Sequence, residues 1–261
     1  MSSLNIAATG MMAQQYNVEV TSNNLANMNT TGFKRQRAEF QDLIYQDLVR
    51  VGSTSSDSGT IVPAGIQLGV GVKLSATYRI MQQGNLAQTG NTYDVAIQGK
   101  GLFKITLPSG EDAYTRAGSF QLSPEGEIVT TDGYTVDPGL TVPADAIAVT
   151  INASGEVLAQ ISGQLAPTNV GQLTLVTFPN EGGLEAIGDN LFIETPASGN
   201  STEGVPGQAG IGTILQGYVE TSNVNAVEEI TNLITAQRAY EMLAKAIETT
   251  DQMSSTTSQM S

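Results

Sequence analysis

The sequence SNNLANMNTTGFKR at residues 22–35 joins two patterns that predict different structures. Apolar residues recur at helical spacing before it, and charged residues become frequent after it. Four asparagines and two threonines precede the single glycine of the stretch. Asparagine tolerates the left-handed backbone that ends a helix, and glycine permits the sharpest bend. We therefore expect a first helix to end near Asn27, a turn at Gly32, and a more solvated layer from Lys34 onward.

The first helix is predicted from residues that recur at alternating steps of four and three. They are Leu4, Ala8, Met11, Gln15, Val18, Ser22 and Leu25. Five of these seven are apolar, which is the seam spacing of a coiled coil. Glu19 is the only charged side chain in the first 33 residues, whereas a solvated helix normally carries more charge. We therefore expect a helix over residues 4–27 that is covered by other protein.

A second helix is predicted over residues 224–253, with the polar tail SSTTSQMS beyond it. Asn225 with Glu228 three residues later resembles a capping arrangement. Because either seam alone leaves an apolar stripe unburied, we expect the two helices to pair as an axial coiled coil, with neighbouring subunits covering the remainder. The residues predicted to pack between helices and between subunits are Leu4, Ala8, Met11, Val18, Leu25, Ile230, Leu233, Tyr240, Ala244 and Ile247.

The centre of the chain reads as short strands separated by Gly, Pro, Asn and Asp turns, without a long helical period. Three strand pairs are expected: YDVAIQ with LFKITL around a Gly-Lys-Gly turn, YTRAGSFQL with IVTTDGYTV around SPEGE, and 173–178 with 190–194. The predicted fold class is α+β, with terminal helices around an antiparallel, hairpin-rich β domain. The predicted domains are a terminal-helix domain at 1–32 and 217–261, an extended linker and insert at 33–72, and the β domain at 73–216.

The composition excludes several classes of chemistry. The chain has no cysteine, histidine or tryptophan, which removes disulfides, thiol catalysis, thiolate or imidazole metal sites and His-based triads. The net charge is −14, and residues 117–237 contain 14 acidic residues and no Lys or Arg, the opposite sign from a nucleic-acid binder. The sequence contains no run of 18 apolar residues, so no transmembrane helix is expected. The N-terminus also lacks the basic region of a Sec-type signal peptide, so we expect no cleavable signal.

The spacing of the carboxylates gives little support to an enzyme. Glu125 with Glu127 falls in a predicted turn, and Glu228 with Glu229 at a predicted helix start. Solvated charge explains both pairs better than general acid–base chemistry. The Gly-rich segments GIGTILQG at 210–217 and GKG at 99–101 do not end in the Gly-Lys-Ser/Thr of a phosphate-binding loop. The residues therefore predict an assembly protein with no enzymatic activity, cofactor or metal, and an acidic secreted β-rich hydrolase is the alternative from a different class.

Both ends of the chain resemble the bacterial flagellar rod and hook axial protein family. LANMNTTGFKRQRAEFQDL at 25–43 is similar to the N-terminal signature of that family, and NVNAVEEITNLITAQRAYEMLAKAIETTDQM at 223–253 to its C-terminal one. The N-terminal matches are Ala26 and the hinge motif Asn27, Thr30, Gly32, Phe33 and Lys34. The C-terminal matches are Asn223, Val224, Glu229, Ala236, Gln237, Arg238, Ala239, Tyr240 and Lys245. Two long motifs at the correct ends are far more specific than one short pattern.

Within this family the chain is most similar to the members that form the distal rod. The similarity rests on the length of 261 residues, the segment at 65–105 and the insert YQDLVRVGSTSSDSGTIVPAG at 45–65. In those members the corresponding stretch is thought to stiffen the rod relative to the hook, although the run at 53–60 is unusually Ser-rich here. Hook proteins are usually longer, and the other short rod proteins lack the insert or are smaller. Another rod or hook protein is the alternative within the family.

The resemblance implies a structural role at the flagellar basal body. Subunits would leave through the flagellar type III export apparatus and polymerise into a hollow helical shaft from the periplasm to the outer membrane. The shaft would transmit torque from motor to hook and conduct later subunits through its lumen. Its partners would be further copies of the chain, the proximal rod proteins, the hook protein and the L and P rings. The terminal helices would form the inner layer and the β domain the outer wall.

Overall fold

The computed structural model describes residues 2–49, 65–164 and 166–260. The polar run at 53–60, expected to be an exposed loop, lies outside the described residues. The chain divides into two compact units. The first is drawn from Met1–Ala26, Gln36–Tyr78 and Asn225–Ser261, and the second from Asn27–Arg35 and Arg79–Val224. The domain division predicted from the sequence stays a prediction beside this grouping.

A long helix stands at each end of the chain, as predicted. Helix α1 spans Ser2–Ala26 and helix α2 spans Ala226–Met260. The Asn225 side chain caps α2, because its Oδ1 accepts a hydrogen bond from the backbone N–H of Val227 at 3.1 Å. The chain is therefore α+β, with a β-rich centre between the two helices.

Helix α2 is longer than the periodic pattern indicated. It continues to Met260, so the expectation that the tail from residue 254 lies beyond the helix is wrong. The Thr256 hydroxyl donates to the Gln252 carbonyl at 3.1 Å, one turn earlier. Threonine side chains can therefore be satisfied inside a helix, which composition alone does not reveal.

In the first unit α1 and α2 pack on their small side chains. Ala7, Ala13 and Ala236 are buried. A Cβ added to Gly10 would lie 3.2 Å from Leu243 Cδ1, which places these helices close together at that point. Whether the helices also form an axial coiled coil stays a prediction. The unit also contains two paired ribbons, β1 (Gln36–Asp42) with β4 (Val72–Arg79) and β2 (Tyr45–Val49) with β3 (Ile66–Gly69).

The second unit is a set of antiparallel sheets. Its first eight strands are β5 (Leu86–Gln88), β6 (Val95–Gln98), β7 (Leu102–Thr106), β8 (Asp112–Thr115), β9 (Gln121–Leu122), β10 (Ile128–Val129), β11 (Thr135–Val136) and β12 (Ala146–Ile151). The others are β13 (Glu156–Ile161), β14 (Thr168–Gln172), β15 (Leu175–Thr177), β16 (Glu185–Gly188), β17 (Leu191–Ile193), β18 (Thr202–Gly204), β19 (Thr213–Gln216) and β20 (Tyr218–Glu220). A 3-10 helix spans Glu181–Gly183.

The largest sheet has the order β16-β17-β8-β7-β11-β10-β9, with β15 joining β7 and β18. Strands β12, β13 and β14 form a separate three-stranded sheet, and β19 pairs with β6. Aliphatic and aromatic side chains from several of these sheets share one core. Within it, the rings of Phe103 and Phe120 meet edge to face at 5.1 Å between centroids.

Two of the three expected strand pairs are wrong, and the third is confirmed. Strand β9 pairs with β10 around SPEGE, as predicted. Strand β6 pairs with β19 rather than with β7, because the chain changes sheet at Gly99 and Gly101, whose φ angles are +112° and +136°. Strand β15 pairs with β18 and β7, while β17 pairs with β16 and β8. Both errors arise because strands that are distant in the sequence pair in the fold.

Candidate functional site

The hinge motif begins with a tight turn directly after α1. The backbone N–H of Thr30 donates to the Asn27 carbonyl at 3.2 Å, and the Thr30 hydroxyl to Asn27 Oδ1 at 3.1 Å. Gly32 has a φ of +72°, and a Cβ there would lie 2.6 Å from the backbone nitrogen of Ala117. The position therefore requires glycine both for its backbone conformation and for the close approach.

A buried charge cluster follows the turn and consists of Lys34, Glu220 and Arg116. These residues are 2%, 1% and 5% exposed. Lys34 Nζ donates to Glu220 Oε1 at 2.5 Å, and Arg116 Nε to Glu220 Oε2 at 2.5 Å. All three residues belong to the second unit. The expectation that Lys34 begins a solvated layer is wrong, because its side chain is buried and its ammonium pairs with the buried Glu220 carboxylate.

The backbone satisfies the remaining polar groups of the buried charge cluster. Lys34 Nζ also donates to the Gln82 carbonyl at 2.9 Å. The Arg116 guanidinium donates to the carbonyls of Gly101, Ile97 and Gly99. A buried ion pair is tolerated when such additional bonds compensate for lost hydration. The cluster is therefore a well-satisfied polar network rather than an isolated pair of charges.

The charges of this cluster do not balance, because one carboxylate lies between two cations. Burial alone would raise the pKa of the Glu220 carboxyl, but Arg116 and Lys34 outweigh burial and hold that pKa below its ordinary value. Burial has the largest effect on the pKa of the Lys34 ammonium and lowers it; Glu220 and Glu181 raise that pKa, Arg116 lowers it, and it stays below its ordinary value. The asymmetry follows from geometry: the carboxylate forms ion pairs with two cations, whereas Lys34 pairs with one carboxylate and also lies near the like charge of Arg116.

A pocket of roughly 270 Å³ opens beside the buried charge cluster. It is lined by Lys34, Met81, Gln82, Gln83, Gly99, Lys100, Gly101, Leu102, Arg116 and Glu181. No group of three or more metal-ligating side chains occurs among the described residues. Asp94 is the only buried carboxylate in the described part of 73–215, and it accepts hydrogen bonds from Thr89 and Asn91. The carboxylate pair that the hydrolase alternative needs is therefore absent from this part.

The helices of the first unit present apolar side chains outward. Ile230 and Tyr240 are 45% and 44% exposed, and Ala244 is also exposed. The other predicted packing residues, Leu4, Ala8, Met11, Val18, Leu25, Leu233 and Ile247, are half-buried. The exposed large apolar side chains that the predicted seams missed are Ile6, Met12, Tyr16, Val227, Ile234, Met242 and Met253. The apolar surface of the two helices is thus wider than a single seam.

Gln237 and Arg238 of the C-terminal motif are exposed on α2. Gln237 also lines a groove of roughly 340 Å³ that is formed by both helices. The lining residues are Gln15, Val18, Glu19, Gln237, Tyr240 and Glu241. Small and polar residues of the two helices, such as Ala13 and Asn24, are buried inside the unit instead. Asn24, for example, donates to Glu229 Oε2 at 3.3 Å and to the Gln36 carbonyl at 2.8 Å.

The β2–β3 ribbon carries a second exposed apolar surface. Leu48, Ile66 and Leu68 are 64%, 53% and 48% exposed, and Ile44 at the start of the ribbon is 82% exposed. Strand β2 is exposed along its whole length. Apolar side chains are seldom exposed on both faces of a paired strand. An exposed apolar patch such as this one generally marks an interaction site.

No helix among the described residues has the length and apolar character needed to cross a membrane.

Three family models match the chain. They are the flagella basal body rod protein at residues 4–34, the flagellar hook protein FlgE/F/G D1 domain at 96–159, and the flagellar basal body rod FlgEFG protein C-terminal at 215–260.

Relatives match over the full chain. The chain is 60% identical over 260 residues to the flagellar basal-body rod protein FlgG of Caulobacter vibrioides, covering 100% of this chain and 99% of the relative. It is 50% identical over 258 residues to FlgG of Buchnera aphidicola subsp. Schizaphis graminum, covering 99% of each. The solved Helicobacter pylori hook protein FlgE2 is 15% identical, with a TM-score of 0.24, and the match covers 60% of this chain and 47% of that one.

Proposed function

The chain belongs to the FlgG family of flagellar basal-body rod proteins, and from that premise we propose how it works as a structural subunit of the rod. We propose that copies of the chain polymerise into the distal rod, a hollow helical shaft that transmits torque from the motor to the hook. Later subunits pass through its lumen during export. The chain has no enzymatic role in this proposal.

The observation that carries this proposal is the apolar surface left on α1 and α2. A solvated helix normally carries charge on its outer face, yet Glu19 is the only charged residue of α1. Ile230 and Tyr240 are nearly half exposed in the single chain. Burying one large apolar side chain stabilises a contact by about 1.5–3 kcal/mol. Burial of several such residues on each copy is therefore expected to offset the translational and rotational entropy that is lost on association.

We infer that the predicted packing residues divide between two roles. Leu233 and Ile247, which are already half-buried, support the contact of α2 with α1. Ile230 and Tyr240 contact helices of neighbouring copies. In this arrangement the helices form the inner layer of the shaft, and the β-rich unit forms its outer wall.

The β2–β3 ribbon supports the assignment to the distal rod rather than to another axial protein. Its apolar side chains, such as Leu48 and Ile66, contact a neighbouring copy in this proposal and stiffen the shaft. Strand β2 lies within the insert at 45–65 that distinguishes the distal-rod members, and β3 follows directly after that insert. The Ser-rich remainder of the insert at 53–60 is outside the described residues.

The partners follow from the position of a distal rod in the flagellum. The proposal places proximal rod proteins at one end of the shaft, the hook protein at the other, and the L and P rings around it. Export through the flagellar type III apparatus, without a cleavable signal, brings the subunits to the periplasm. The acidic surface of residues 117–237 is expected to limit adhesion to an enclosing ring.

Polymerisation of purified variants tests the proposal. Ile230→Asp places a charge in the proposed contact between copies, so sedimentation and electron microscopy are expected to show loss of assembly. Ile187→Asp is the matched control, because Ile187 is 48% exposed but lies on β16 of the other unit. Normal assembly of Ile230→Asp would show that α2 does not form the contact.

A further inference from the structure

We propose that Glu220 is a positioning residue that couples the hinge motif to the C-terminal strand of the second unit. Its carboxylate accepts hydrogen bonds from Lys34, Gly84 and Arg116, which come from three separate parts of the chain. Lys34, a residue of the family motif, then acts inside the subunit rather than at a contact between copies. This role belongs to the folded single chain and does not depend on the proposed assembly.

On the N-terminal side, the hinge segment 27–35 is held by contacts that converge on β20 and the residues after it. The backbone N–H of Gly32 donates to the Glu220 carbonyl at 2.8 Å, and Lys34 Nζ to its carboxylate. The backbone N–H of Arg35 donates to Asn223 Oδ1 at 2.7 Å. Residues 32 to 35 therefore dock on the strand through which the chain leaves the unit.

The Glu220 carboxylate also binds the segment that leads into β5, the strand that pairs with β20. The backbone N–H of Gly84 donates to Glu220 Oε1 at 2.9 Å, the oxygen that also accepts from Lys34. Just beyond β20, the backbone N–H of Thr221 donates to the Asn85 carbonyl at 2.8 Å. Glu220 Oε1 thus links the hinge motif to the segment that leads into β5. A substitution at Lys34 is therefore expected to weaken the hydrogen bond from Gly84 as well.

The unequal charges make the members of the cluster distinguishable by mutation. Lys34→Met leaves Glu220 and Arg116 as a balanced buried pair, so the sheets are expected to stay folded. Glu220→Gln leaves two buried cations without the carboxylate that both of them bond to, which destabilises the whole unit because poorly compensated buried charge is strongly unfavourable. A residue that only filled space would show no such difference between the two variants.

Amide hydrogen exchange on the full-length, unassembled protein tests the coupling. In Lys34→Met, exchange is expected to quicken at least tenfold at Gly32 and also at Gly84 and Thr221. Exchange at Ile105, in the centre of β7, is expected to stay within twofold of the wild type. Lys104→Met is the matched control, because Lys104 is paired with Glu203 and Asp112 away from the cluster, and it is expected to leave all three reporter amides unchanged.

Three results would overturn the proposal. Faster exchange at Gly32 alone would mean that Lys34 acts only on its own segment. Unchanged exchange at both Gly32 and Gly84 would mean that the cluster positions neither segment. Loss of protection at Ile105 in Lys34→Met would mean that Lys34 is required for the fold itself. Glu220→Gln gives an independent check, because its Tm, or its yield of folded protein, must be well below that of Lys34→Met.

Discussion

Replacing Gly32 by alanine gives a quantitative test of the hinge geometry. The residue has a φ of +72°, and the added Cβ would lie 2.6 Å from the Ala117 nitrogen and 2.9 Å from the Arg116 carbonyl carbon. Both contacts are with backbone, so neither can be relieved by rotating a side chain. Either the hinge segment moves away from β8 and the residues after it, or the chain at Ala117 moves. Each movement strains the hydrogen bond from Gly32 to Glu220.

The expected magnitude has two parts. Placing alanine in left-handed backbone costs roughly 1–2 kcal/mol. Forcing a methyl group into a closely packed site adds about 1–3 kcal/mol. The sum is about 2–5 kcal/mol, and 1 kcal/mol shifts Tm by about 2–4 °C for a unit of roughly this size, so Tm is expected to fall by about 4–20 °C.

Differential scanning calorimetry of the full-length protein measures this change, and Gly110→Ala is the matched control. Gly110 has a φ of +83°, but a Cβ there meets nothing within 4 Å. The control therefore carries the backbone cost without the steric one, and Gly32→Ala should be the more destabilised by at least about 1 kcal/mol. Equal Tm values for the two variants would refute the close approach of Gly32 to Ala117.

Three other perturbations have defined outcomes. Because the folded pKa of Glu220 lies below its ordinary value of 4.5, its contribution to stability is complete above about pH 4.5 and is lost as pH falls through the folded pKa. The Tm difference between wild type and Glu220→Gln should therefore narrow from pH 7 to pH 3, and a constant difference would contradict this. Asn225→Ala removes the cap of α2 and should destabilise its first turn by about 1 kcal/mol, seen as faster amide exchange at Val227 in the assembled protein; unchanged exchange there would argue against the cap. Circular dichroism of the unassembled protein should show far less helix than the 25 and 35 residues of α1 and α2, because helices that need partners are marginal alone; full helix content would contradict this.

The sequence was sufficient to predict the two helices and the β-rich centre. The apolar period of three and four residues is local information, as is the Asn225 cap, so both could be read directly. The register of the helix contact was not accessible in the same way. The helices are buried at Ala7 and Ala236 and approach each other closely at Gly10, and small residues contribute little to an apolar pattern.

The pairing of distant segments could not be predicted from spacing. Lys34 looked like the first charge of a solvated layer, because its partners Gln82 and Glu220 lie 48 and 186 positions further along the chain. Glu220 was overlooked because a single acidic residue in an acidic chain carries no local signal. The same reason explains why β6 was expected to pair with the next strand rather than with β19.

Electron cryomicroscopy of the assembly formed by the purified protein tests the central claim most directly. The proposed function predicts a hollow helical tube in which α1 and α2 form the inner layer and Ile230 and Tyr240 lie at contacts between copies. A map with these helices on the outer surface, or with copies joined only through their β-rich units, would contradict it.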